Sequence, residues 1–171
     1  MKRSWLLVLL TVVFGLGLPA GTAAAAEPVH AGPFTGTGEF TVDCGTFTST
    51  VSGTASFRYT FFLDANGEVI RYQEFIRAPH DLWVNDTTGR SIVIRAEFLQ
   101  TYTRVPGTDE FTVTITGFRY LVNEPGQGVI VQEVGRIVYA DPSEETILAA
   151  AGQHDLADAA RIEPTFCAAV A

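Results

Sequence analysis

The sequence predicts an all-β, mainly antiparallel fold: a meander of about seven strands, closed as a barrel or a sandwich, with a short C-terminal helical segment. Three observations carry that expectation. Segments rich in Thr, Val, Ile, Phe and Tyr alternate apolar with polar residues. Short clusters of Gly, Asn, Asp and Pro punctuate them. Cys44 and Cys167 lie toward opposite ends of the stretch that holds these segments.

The chain opens on a leader rather than on the fold. Lys2 and Arg3 precede an apolar run from Trp5 to Leu18, 14 residues long, short of the ~20 that cross a bilayer. Ala24-Ala25-Ala26 supplies small residues for cleavage after Ala26, so residues 1–26 read as a signal peptide and 27–171 as one secreted domain. Within it, Glu27 to Pro33 lack periodicity and read as a flexible arm. Phe57, Tyr59, Phe61 and Leu63 share one face of a strand, and Asp64-Ala65-Asn66-Gly67 turns the chain into a second strand from Val69 to Ile76. A short segment, Leu82 to Val84, ends at the turn Asn85 to Gly89. Ile92, Ile94, Ala96 and Phe98 resume the period of two.

The next hairpin turns at Val105-Pro106-Gly107-Thr108-Asp109. Phe111, Val113 and Ile115 then alternate with threonines in a strand that continues to Leu121, with Gly117 as a bulge candidate. Asn123 to Gly128 breaks the sheet, and Val129 to Tyr139 forms the last long strand, interrupted by Gly135. Pro142-Ser143-Glu144-Glu145 resembles a helix start, capped by Ser143, running through Thr146 to Ala150 and ended by Gly152.

Charge excludes more than it identifies. The whole chain has a formal net charge of −8; without Lys2 and Arg3, nine arginines and no lysine face 19 acidic residues, a net of −10. Nucleic acid and anionic lipid surfaces are therefore not expected partners. No cysteine follows the leader's apolar run to accept a lipid, and Asp155, Asp158, Arg161 and Glu163 interrupt the C-terminal segment. The expectation is a secreted chain with no membrane span, extracellular or loosely wall-associated. Export places the cysteines where disulfides persist, so a Cys44 to Cys167 bridge is expected.

Motifs of familiar chemistry are missing. The chain has no G-x-S-x-G, H-E-x-x-H, C-x-x-C, P-loop or dinucleotide fingerprint, so no cofactor and no metal are expected. Asp64 to Glu68 reads as a hairpin rather than a calcium loop. The weak catalytic candidates are His80 and Asp81 with Glu97, or Glu74, as an acid, and His154 beside Asp155. Tyr59, Tyr72, Trp83, Tyr102, Tyr120 and Tyr139 are either core or the lining of a sugar or lipid pocket.

The leader, the early Cys44, the turns Thr87-Thr88-Gly89-Arg90-Ser91 and Asn123-Glu124-Pro125-Gly126, and the late Phe166-Cys167 before an alanine-rich end together resemble small secreted β-rich proteins of actinobacteria. The resemblance implies export and the bridge, and no activity. The function expected is a non-enzymatic binding or envelope-associated protein for a small molecule or cell-envelope component. The alternative is a small barrel hydrolase or cyclase acting on a sugar, lipid or secondary metabolite.

Overall fold

The computed structural model describes residues 27–171; the leader and the expectation placed on it lie outside the described residues. Seven antiparallel strands form one sheet in chain order: β1 (Val29–Asp43), β2 (Thr48–Leu63), β3 (Val69–Asn85), β4 (Ser91–Arg104), β5 (Phe111–Glu124), β6 (Gly128–Tyr139) and β7 (Ile147–His154). A short 3-10 turn, Ala159–Arg161, leads into α1 (Ile162–Val170). β1 and β7 are the two edges, and the sheet is not closed into the expected barrel.

The strands run where alternation and turn chemistry place them, except that Val69 to Ile76 and Leu82 to Val84 are one strand, β3, which continues through His80 and Asp81 with a register shift between Ala78 and Asp81. In β4, Ile92, Ile94, Ala96, Phe98 and Gln100 are buried at every second position, which defines a core face and an outer face. Asp64 accepts the N–H groups of Asn66 at 2.8 Å and Glu68 at 2.9 Å, fixing the β2 to β3 turn. These bonds, that to Glu68 foremost, hold its carboxyl below the usual carboxylate range. Asn85 does the same for the next turn, accepting from Thr87 and Thr88, while its amide donates to the Val170 carbonyl at 3.0 Å and holds the end of α1.

α1 covers one half of the core face. Phe166 meets Trp83 and Tyr120 edge-on at 5.3 and 5.7 Å, over Ile92, Ile94, Val122 and Val131. A disulfide between Cys44 and Cys167, with Cα atoms 5.5 Å apart, ties the helix to the β1 to β2 turn. A second apolar cluster, Ala78, Ala96, Phe98, Val113, Ile115, Ile137 and Tyr139, lies beyond it.

Two expectations are corrected. Glu27 to Pro33 is not all an arm: Val29, His30 and Ala31 pair with Phe61, Thr60 and Tyr59. The pattern was hidden because β1 is exposed on both faces and a bulge falls between Ala31 and Phe34. The helix expected from Ser143 to Ala150 is replaced by a turn and β7. Ser143 donates its N–H to Asp141 at 2.8 Å instead of capping. Ile147 to His154 satisfies the backbone groups on the free side of β6, overriding the helix preference of its alanines. The helical segment falls later, at Ile162–Val170.

Gly117 and Gly135 do mark irregularities, and Gly152 joins them. The three stand in register across β5, β6 and β7 with φ of 125, 134 and 124°. A Cβ at Gly135 would fall 2.9 Å from Gly152 Cα and closer still to the Ala151 carbonyl oxygen. The close approaches are of β5 to β4 at Gly117 and of β6 to β7 at Gly135 and Gly152, each of which excludes a side chain.

Candidate functional site

The half of the core face not covered by α1 carries polar groups at positions whose alternation would otherwise be apolar. Register sets Tyr72 opposite Tyr102 and Glu74 opposite Gln100. β2 contributes Phe61 opposite Tyr72 and Tyr59 opposite Glu74. Farther along the same strands and on the same face, Ile76 and Ala78 stand opposite Phe98 and Ala96. The period that builds the apolar core therefore also delivers three tyrosines, a glutamate and a glutamine to one surface.

The rings form a row across the strands. Phe34 and Tyr59 are 6.2 Å apart, Tyr59 and Phe61 6.2 Å, Phe61 and Tyr72 6.0 Å. Tyr72 and Tyr102 stack at 4.2 Å with planes 10° apart. At that separation Tyr72 and Tyr102 cover one another's faces, whereas the wider spacing of the other rings leaves part of their faces free. Tyr59 donates to Glu74 Oε1 at 2.8 Å, and Gln100 Nε2 donates to the Tyr102 oxygen at 2.7 Å.

Glu144 closes the polar group. It lies in the loop between β6 and β7 with φ of 60°, the left-handed region, which costs a side-chain-bearing residue ~1–2 kcal/mol. Its carboxylate accepts from Gln100 at 3.1 Å and pairs with Arg119 Nη2 at 2.6 Å, both side chains being largely buried. Arg119 occupies the register shift between Phe118 and Tyr120, where a bulge re-aims side chains. Burial opposes the charge on Arg119, yet Tyr120 and Glu144 beside it more than compensate and raise its pKa.

Burial pushes the phenols of Tyr72, Tyr102 and Tyr139 above their ordinary value; for Tyr59 the hydrogen bond to Glu74 is the chief cause, with burial second. A raised folded-state pKa means the unfolded chain loses these protons first, so their contribution to stability is complete below about pH 10 and declines as pH rises beyond it. Titration followed at 295 nm is expected to show Tyr59, Tyr72, Tyr102 and Tyr139 ionising above the free phenol, with unfolding midpoints falling over the same range.

The residues named from sequence disperse. His80 is exposed, on the same side as Leu82 and Ser52, lining a cavity of about 510 Å³. Asp81 stands opposite Ile94, and its carboxylate fills the space that a Cβ on Gly53 would need. Burial raises its pKa, against a backbone hydrogen bond from Thr54. Glu97 pairs with Arg77 at 3.2 Å, exposed on the outer face. Among the described residues no hydrogen bond or ion pair joins His80, Asp81 and Glu97. Of the six candidate pocket aromatics, Tyr59, Tyr72 and Tyr102 line the open half and Tyr139 borders it, donating to the Ala157 carbonyl at 3.2 Å. Trp83 and Tyr120 lie under Phe166.

His154 acquires a partner the sequence did not suggest. Glu133, 3% exposed, bonds His154 Nδ1 at 2.5 Å and accepts the Leu156 N–H at 2.8 Å, anchoring the chain that leads to α1. Glu74, Gln100 and Glu133 all left one legible signal, a polar residue at a core-face position of a strand. Arg119 and Glu144 left none, since a bulge and a left-handed backbone place them. No group of three or more His, Cys, Asp or Glu arranged to hold a metal ion occurs among the described residues, and no described helix is long and apolar enough to cross a membrane. Compared with protein-family models, with curated proteins and with solved structures, the chain matches none.

Proposed function

We propose that this chain is a secreted, non-enzymatic binding protein, and that its ligand seats on the tyrosine half of the core face. The observation that carries the reading is the combination there of half-buried rings with Glu74, Gln100 and the Glu144 to Arg119 pair. Apolar area bordered by a few fixed donors and acceptors is the ordinary composition of a small-molecule site. The ligand chemistry it fits is an apolar body bearing hydroxyl groups, of the sugar or lipid kind. The disulfide is in keeping with an extracellular or wall-associated location.

Native mass spectrometry of the protein recovered from culture medium tests this. The expected result is a chain starting at Glu27 that carries a non-covalent small-molecule adduct, and loss of that adduct in Glu144→Gln. That substitution removes the charge facing Arg119 and is expected to cost about 1–3 kcal/mol of stability, measured as a lower denaturant midpoint at unchanged slope. A bare chain in every preparation overturns the reading.

A small extracellular enzyme is the second reading, and the Glu133 to His154 pair favours it. A carboxylate on Nδ1 orients an imidazole for general-base work, and His154 lines a cavity of about 530 Å³ with Asp155, Arg161 and Thr165. Its Nε2, however, is buried without a partner, away from any substrate on the surface, so binding is the stronger proposal.

A further inference from the structure

The two edges of the sheet are finished differently. β1 carries the bulge at Ala31 to Phe34, Pro33, and the charges of Glu39 and Asp43, all of which discourage another strand from pairing. β7 has a register shift of its own, which leaves Leu148 unpaired against β6, but Ile147-Leu148-Ala149-Ala150-Ala151-Gly152-Gln153 holds no charge and no proline. Leu148 is 59% exposed and Ile147 43%. One side of β7 is paired to β6, and the other faces no strand of the sheet. A strand edge free of charge and proline is a template for one more strand.

We propose that β7 pairs antiparallel with β7 of a second copy of this chain, about a two-fold axis at Ala150. The strand is self-complementary in that register. In the regular stretch between the shift at Leu148 and Gly152, Ala149 of each copy faces Ala151 of the other across Ala150, and these small side chains let the two strands close on each other. The same stretch is free of charge in a chain whose secreted form carries −10, so two acidic molecules meet along the strand that repels least. Pairing β7 with β1 instead puts the bulge and two carboxylates into the ladder. Between molecules it is also head-to-tail, which has no reason to stop at two.

Sedimentation velocity on the secreted protein, with its disulfide intact, tests the proposal across a micromolar concentration series. The expected result is a monomer to dimer equilibrium. Ala149→Lys/Ala151→Lys sets like charges opposite each other across the axis and is expected to raise the dimer dissociation constant about tenfold or more. Ala149→Glu/Ala151→Lys sets opposite charges there and is expected to restore the dimer. Ala149 and Ala151 are exposed, so thermal unfolding of the dissociated variants confirms that each chain still folds. A monomer at every concentration, as from closure of β7 onto β1 of the same chain, overturns the proposal. So does growth beyond the dimer, or a dimer indifferent to the two-lysine variant.

Discussion

Gly135→Ala is expected to destabilise the protein by about 3–5 kcal/mol, enough to abolish most of the yield of folded protein. Two costs coincide at this position. The residue holds φ of 134°, where a side chain is strained, and its missing Cβ is the gap into which the Ala151 carbonyl and Gly152 Cα fit. The neighbouring backbone cannot move aside as a flexible side chain would, because β7 is hydrogen-bonded to β6 there. Gly67→Ala is the control: its φ is 84° but open space surrounds it, so only the conformational cost of about 1 kcal/mol is expected. Urea unfolding of the two variants separates close approach from backbone conformation. Equal losses would show that the approach of β6 to β7 at Gly135 is not a tight one.

Removing the bridge as Cys44→Ser/Cys167→Ser is expected to cost about 2–5 kcal/mol. It closes a span of 123 residues, and a long loop is where cross-linking removes most freedom from the unfolded chain. The loss has a local face as well, because the bridge is the covalent link between the β1 to β2 turn and α1. Phe166 and Val170 in the core, with the Asn85 to Val170 and Arg90 to Ala171 hydrogen bonds, then hold the helix without it. Trp83 is the single tryptophan among residues 27–171, buried against Phe166, so its emission reports docking directly. A red shift in the native baseline of the double-serine variant is expected together with the lower midpoint.

Much of the sheet was legible because burial on one face imposes a period of two, and the run Ile92, Ile94, Ala96, Phe98 could be read without a structure. Turns built on Asp64 and Asn85 were legible for the same kind of reason, a side chain competing locally for backbone N–H groups. β1 was not, since an edge strand exposed on both faces carries no hydrophobic period. β7 was not, because its alanines favour a helix in isolation and the open side of β6 decides otherwise. The tyrosines of the site were visible as residues but not as a group. Sorting Tyr72 and Tyr102 from Tyr120 required the register and the position of α1. Arg119 and Glu144 depend on a bulge and a left-handed loop residue that no local pattern announces.

The division of the core face into a helix-covered half and a tyrosine half is most directly tested by ring-resolved NMR of the tyrosines, as small molecules extracted from the culture medium are added to the purified protein. The expected result is that the ring signals of Tyr59, Tyr72 and Tyr102 shift together while Tyr120, beneath Phe166, stays in place. A shift confined to Tyr120, or none in any ring, would contradict the assignment of the ligand to that surface.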